Sequence, residues 1–150
     1  MNAPAPAAAL AIADIADADV EAVIALWQRC GLTRPWNDPA SDIALARRNA
    51  NSTVLVGRAG GAIAATAMVG HDGHRGWVYY VAVDPASQKQ GLGRAIMAAA
   101  EEWLRAVGLP KLQLMVRREN AKAGAFYRSI GYEESDTVVY ARWIDGRAKS

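Results

Sequence analysis

Apolar residues recur along the chain at two spacings, and the switches between them mark its elements. Val20, Val23, Ile24 and Trp27 fall at three- and four-residue steps, one face of a helix predicted from about Asp17 to Cys30. Asp17, Asp19 and Glu21 fill its first turn, where the positive end of the helix dipole favours them, and Gly31 stops it. Asp38-Pro39 reads as an N-cap followed by proline at the first helical position, opening a second helix to about Asn51. Leu92, Ile96, Ala99, Trp103 and Val107 repeat the helical step until Gly108 and Pro110 end it. Asn120 caps a last helix that reaches Ile130 and stops at Gly131. The remaining apolar runs are short and β-rich. They are Leu10 to Ala13, Thr53 to Arg58, Ala62 to Val69 across the Gly60-Gly61 turn, Trp77 to Val83, the alternating Leu112, Leu114 and Val116, and Thr137 to Trp143.

The resulting order, β-α-α-β-β-β-α-β-α-β, is that of a mixed α/β domain. Its strand–helix–strand from Trp77 to Val116 forms a right-handed parallel crossover. Ligand chemistry is expected at the carboxyl end of the first of those strands. The 150 residues suffice for one continuous core, and no repeat or linker divides them. Residues 1–7, rich in Ala and Pro, are expected to fray.

Charge and cysteine content narrow the function classes. Lys and Arg number 17 against 15 Asp and Glu, and a net charge of +2 gives no field for drawing in nucleic acid or membrane. Cys30 is the only cysteine, so neither an intramolecular disulfide nor a Cys-based zinc site can form. Met1 to Leu10 carries no Lys or Arg to start a signal peptide, and Asp14, Asp17 and Asp19 interrupt the apolar run that follows. A cytoplasmic protein is expected.

The candidate chemistry lies between the Trp77–Val83 strand and its helix, in Gln88-Lys89-Gln90-Gly91-Leu92-Gly93-Arg94. Two glycines there let the backbone approach a bulky group, and free amides at the helix start can hold an anion such as phosphate. Lys89 and Arg94 add positive charge; the alternative is a plain tight turn before a helix. The Walker loop pattern is absent. The dinucleotide fingerprint fails too, because its third glycine position is Ile96 and a Pro-containing loop precedes the glycines.

Val81-Ala82-Val83-Asp84-Pro85 followed by Gln88-x-x-Gly91-x-Gly93 and a helix resembles the acetyl-CoA-binding segment of the GNAT acetyltransferases. Val116 through Asn120, then Ala125-Phe126-Tyr127 and Gly131-Tyr132, is similar to that family's next strand and helix. Leu32 to Pro39 resembles the bacterial YpeA-like subgroup. The resemblance implies one GNAT domain over residues 8–150, with a mostly antiparallel sheet, a parallel β-α-β unit and flanking helices. It implies acetyl-CoA as co-substrate, an amine acceptor that is a small molecule or a protein, and no metal. Backbone groups of Val81 and Val83, around Ala82 on a bulged strand, would pair with the pantetheine arm, one amide facing the thioester oxygen. Amides from Gln88, Lys89, Gln90, Gly91, Leu92, Gly93 and Arg94 would wrap the pyrophosphate. Asn120 would hydrogen-bond the cofactor, and Tyr127 would stand near its sulfur as general acid; a tyrosine packing on the sheet is the alternative.

On the acceptor side the candidates are Trp36, Asp38 and Tyr79. Many family members carry a glutamate on the strand before the glycine loop; here Trp77, Tyr79 and Tyr80 stand there, with no carboxylate until Asp84. Asp38 is either a helix cap or the base, and Trp36 either lines the acceptor pocket or packs its loop. Neutralising a lysine at pH 7 costs roughly 4.6 kcal/mol, an α-amino group only about 1 kcal/mol. His71, Asp72 and His74 read as a solvated turn, Trp27 and Trp103 as core, and Cys30 as a small apolar residue. The leading reading is direct acetyl transfer. A non-catalytic acetyl-CoA-binding regulator and a nucleotide-binding protein are its rivals. The oligomeric state, a homodimer included, is left open.

Overall fold

The computed structural model describes residues 10–147, so the expected fraying of residues 1–7 lies outside the described residues. Residues up to Leu114 form one compact unit and those from Met115 a second.

The first unit is built on one five-stranded sheet in the order β1 (Ala11–Asp14), β2 (Ser52–Ala59), β3 (Ala62–His71), β4 (Gly76–Val83), β5 (Leu112–Gln113). The first four strands are antiparallel neighbours, and β5 joins β4 in parallel. The turn between β2 and β3 places Gly60 and Gly61 at φ 60° and 87°, a left-handed pair suited to the twist of a tight hairpin.

Helix α1 (Val20–Arg29), entered through a 3-10 turn at Asp17–Asp19, and α2 (Pro39–Arg47) bury one apolar face. Val23, Leu26, Trp27, Ile43 and Ala46 pack there with Val54, Val56 and Ala82 of the sheet. Helix α3 (Leu92–Ala106) packs on β3 and β4 with a separate set of buried residues, Leu92, Ile96, Met97, Ala100 and Leu104. The sequence pattern picked one ridge of this helix. The buried stripe is wider and centred one residue on, which leaves Trp103 half-buried and Val107 half-exposed.

Close contact between α3 and β4 depends on a missing side chain. A Cβ on Gly76 would meet Leu104 Cδ1 at 2.3 Å, and Leu104 is itself buried. Gly76 pairs with Leu112, so the near end of α3 and the parallel strand meet β4 at one residue.

The second unit contains α4 (Ala121–Ser129), capped by Asn120. Two sequence expectations change. The strand expected through Leu112, Leu114 and Val116 spans only Leu112–Gln113. The closing strand expected over Thr137 to Trp143 does not form: no strand occurs there, and Val138, Val139 and Tyr140 are exposed. Their alternation is strand-like, but local propensity makes a strand only where a partner edge pairs with it.

Candidate active site

Strand β4 is irregular where ligand chemistry was expected. Thr66 pairs with Ala82 and Met68 with Tyr79, so Ala67 on β3 faces two residues, Tyr80 and Val81. This is a β-bulge, and Tyr80 adopts φ 51° within it. A left-handed tyrosine costs roughly 1–2 kcal/mol, so other contacts must hold it. The Asp84 amide donates to Ala64 O at 2.8 Å. Alternation then turns the amides and carbonyls of Val81 and Val83 to the edge away from β3, with the polar groups of Ala82 facing β3.

That outward edge is open. The β4–β5 ladder consists of Gly76 with Leu112 and Trp77 with Gln113, and among the described residues no strand pairs with this edge of β4 beyond Trp77. The carbonyl of Val83 accepts the Cys30 thiol at 3.3 Å. Burial, then the nearby Asp84 charge, pushes that thiol up, so Cys30 stays protonated as a packing residue, as its sequence context suggested.

The strand-to-helix connection follows directly. Asp84 caps a 3-10 turn at Pro85–Ser87, accepting from the Ala86 amide at 3.0 Å, and pairs with Arg29 at 3.0 Å. The amide and the guanidinium hold its carboxyl below the usual range. Lys89 and Gly91 stand at φ 66° and 77°, and α3 starts at Leu92 with Gly91 as its N-cap. Nothing lies within 4 Å of a Cβ at Gly91, so the backbone conformation is what calls for glycine. Gly93 sits in the first turn of α3, half-exposed, and Gln88, Lys89, Gln90 and Arg94 are exposed around it. The resulting arrangement is an open helix N-terminus beside two cations, just past an unpaired strand edge.

In the second unit, Asn120 Oδ1 accepts from the Ala123 amide at 3.1 Å. About two helix turns further on, Tyr127 is half-buried. Its ring meets Phe126 and Tyr132 edge-on, with centroids 5.0 and 5.9 Å away. Burial pushes its phenol up to about 12.

The acceptor-side candidates resolve differently. Asp38 is a helix cap: its oxygens accept from the Ala40 amide at 3.1 Å, the Ser41 amide at 3.4 Å and the Ser41 hydroxyl at 2.9 Å. Those bonds, the Ser41 hydroxyl first, hold its carboxyl below the usual range, the wrong direction for a base near neutrality. Trp36 occupies a turn closed by the Asn37 amide on Arg34 O at 3.0 Å and is half-buried. Tyr79 remains 45% exposed, while its neighbour Tyr80 turns inward.

Sequence reasoning missed a carboxylate. Asp42, one turn past Asp38, accepts the Tyr80 hydroxyl at 2.7 Å. Tyr80 also stacks on Trp27 with centroids 3.8 Å apart, and its carbonyl accepts from Thr66 Oγ1 at 3.0 Å. Burial, then the bond to Asp42, raises the Tyr80 phenol. No local signal could have found this set, since its four members come from two helices and two strands. The His71–His74 segment is the expected turn: Asp72 Oδ1 accepts from the His74 and Arg75 amides, and His71 Nδ1 from the Gly73 amide.

A mixed sheet whose bulged strand leads through a glycine turn into a helix, beside an unpaired edge, suits a donor that is an extended amide chain at one end and anionic at the other, as an acyl carrier is. The model of the acetyltransferase (GNAT) family matches residues 13–132, and the chain belongs to that family. It is 40% identical over 124 residues to an acetyltransferase of Yersinia enterocolitica, covering 83% of this chain and 88% of that protein. An acetyltransferase of Pectobacterium atrosepticum matches with the same identity and coverage. Among solved structures, the Escherichia coli ribosomal-protein-S18-alanine N-acetyltransferase has a TM-score of 0.72 at 28% identity, over 93% of this chain and 88% of that one. The aminoglycoside N-acetyltransferase AAC(6')-Iy, in complex with CoA, has the same fold, with a TM-score of 0.78 at 16% identity over 91% and 95%. Among the described residues no helix is long and apolar enough to cross a membrane.

Proposed function

We propose that this acetyltransferase moves the acetyl group of acetyl-CoA to an amine by direct attack, with no covalent enzyme intermediate. The bulge at Tyr80-Val81, with the outward edge of β4 open beyond Trp77, is the observation that carries this reading. A pantetheine arm is an extended amide chain, and an unpaired strand edge offers it the donors and acceptors of Val81 and Val83, with Ala82 anchoring the strand to β3. One of the outward amides faces the thioester oxygen and stabilises the charge that develops on it. Backbone amides from Gln88 to Arg94 take the pyrophosphate, with Lys89 and Arg94 nearby. By the family's pattern, Asn120 and Tyr127 serve acetyl-CoA as well.

Tyr127 is assigned to the departing sulfur. A phenol at about 12 lies well above a thiol at about 8.5, so full proton transfer is uphill by about 5 kcal/mol. A hydrogen bond to the sulfur is what this group supplies. With Asp38 capping a helix and no carboxylate on β4 before Asp84, the acceptor reaches the site as a free amine, which favours one that deprotonates cheaply, such as an α-amino group. The E. coli S18-alanine N-acetyltransferase, by its name, acts on an alanine.

Calorimetric titration with CoA, and turnover against a panel of amines, test this reading. Gly91→Val forces a branched residue into φ 77° at the start of α3. It is expected to lower CoA affinity at least tenfold while far-UV circular dichroism stays native. Unchanged affinity in the folded variant removes the loop from the donor site, and a wild-type protein that binds CoA but acetylates no amine is a binding module instead.

A further inference from the structure

Donor binding as assigned uses the outward side of the β4 bulge and leaves its inward side unexplained. There, three residues from three elements close a ring of contacts. The Trp27 indole Nε1 donates to Thr66 Oγ1 at 2.9 Å, and Thr66 Oγ1 donates to Tyr80 O at 3.0 Å. The Tyr80 ring then returns onto Trp27 in a parallel stack, 6° between planes. Trp27 and Thr66 are fully buried. The hydroxyl has one proton to give, and Tyr80 O receives it, while the indole N–H, a donor only, occupies an acceptor position of the same oxygen. Neither bond can be dropped without stranding a buried polar group.

The orientation this imposes has a chemical consequence. In a trans peptide the carbonyl and the following N–H are coplanar and point in opposite directions. Pinning Tyr80 O against Thr66, toward β3 and the core, therefore aims the Val81 N–H outward, away from β3. A bulge would otherwise leave that peptide without a ladder partner and free to tilt. We propose that Thr66, loaded by Trp27, is a positioning residue for catalysis: it fixes the Tyr80–Val81 peptide plane so that the Val81 amide is presented to the thioester oxygen. Tyr80 acts with it, its hydroxyl on Asp42 at 2.7 Å holding the same residue from the side of α2. This role rests on the acetyl-transfer reading above.

Thr66→Val removes the hydroxyl and keeps the branched shape; Thr66→Ser keeps the hydroxyl. Loss of one oxyanion donor typically lowers kcat about 10²–10³-fold. A donor left in place but misaimed should cost part of that, about 10–100-fold for Thr66→Val. The affinity for CoA, which lacks the thioester oxygen, should stay within about a factor of two, and Thr66→Ser should recover most of kcat. A Thr66→Val kcat within twofold of wild type overturns the proposal. So does a loss of CoA affinity parallel to the loss of kcat, or a failure of serine to rescue. If Thr66→Val does not fold, Tyr80→Phe carries the test. It gives up only the Asp42 bond and should lower kcat several-fold with CoA affinity intact, and full kcat there overturns the proposal. Should the wild type show no turnover at all, the transfer reading fails on its own account, and the peptide plane is still read from the Val81 amide resonance. That resonance moves in Thr66→Val and returns in Thr66→Ser if Thr66 orients the peptide, and stays put if it does not.

Discussion

Tyr127 sits among Phe126 and Tyr132 in surroundings that disfavour its phenolate, and two consequences follow for one side chain. The first is kinetic. Tyr127→Phe should lower kcat about 10–100-fold, as loss of one hydrogen bond to a developing thiolate would, with the CoA dissociation constant nearly unchanged. A kcat within about a factor of two makes Tyr127 a packing residue. The second is a pH dependence of stability with a definite sign. The folded-state value of about 12 lies above the unfolded value of about 10, so the folded chain holds this proton more tightly. The contribution is fully present below pH ~10 and is lost as pH rises through about 12. Over that window Tm should fall more steeply in the wild type than in Tyr127→Phe, and parallel slopes would show that burial of Tyr127 does not shift its titration. At this scale the sequence exposed residues whose role is local: the Asp38 cap, the Gly91 turn, the Cys30 packing position. It hid Asp42, Tyr80, Thr66 and Trp27, whose meaning lies in contacts between positions 14 or more apart on different elements, which no local pattern encodes.

The elements were legible wherever hydrophobic period and a stop signal agreed. Each of the four helices and the first four strands stands within a few residues of its expected place, because caps, prolines and glycines bound them locally. The exceptions lie at the C-terminal end. Leu114 and Val116 continue the alternation of β5 but lie outside it, and Thr137 to Trp143 has the composition of a strand without forming one. Pairing is a property of two segments, and a single segment cannot announce it. One element contact yields a direct test. In Gly76→Ala the new methyl meets Leu104, whose δ and γ carbons lie 2.3 to 3.0 Å from the added Cβ position. Leu104 is 2% exposed and has little room to retreat. Overpacking of this kind costs about 1–3 kcal/mol, to be read from a urea melt. Because Gly76 is also one of the two residues that pair β4 with β5, CoA affinity should fall as well; a variant as stable as wild type would mean that α3 shifts freely over β4.

For the whole molecule, on the proposed direct-transfer reading, the governing quantity is the proton on the acceptor. With Asp38 committed to the α2 N-terminus and lowered by its bonds to Ser41, no poised base is assigned to the site. The logarithm of kcat/KM should rise with pH as the amine deprotonates, levelling near pH ~8 for an α-amino acceptor and continuing toward ~10 for a lysine. Profiles with two amines of different pKa should therefore differ by the difference between those amines, and Asp38→Asn, an equally good cap, should leave both in place. An inflection fixed near ~6–7 for both amines, and abolished in Asp38→Asn, would return Asp38 to the catalytic list.

The half-paired state of β4 also gives the ligand-free enzyme a kinetic texture along one strand. Ala82 turns its amide to β3, while Val81 and Val83 turn theirs to an edge without a strand. Deuterium from solvent should enter Val81 and Val83 quickly and Ala82 slowly, an alternation of period two over three consecutive residues. Filling the edge with acetyl-CoA, in the absence of acceptor, should slow the two fast amides and leave the slow one as it was, so that the alternation disappears. On the proposed assignment a thioester donor acts, in effect, as a sixth strand of the sheet, and its arrival can be timed residue by residue without observing a single turnover.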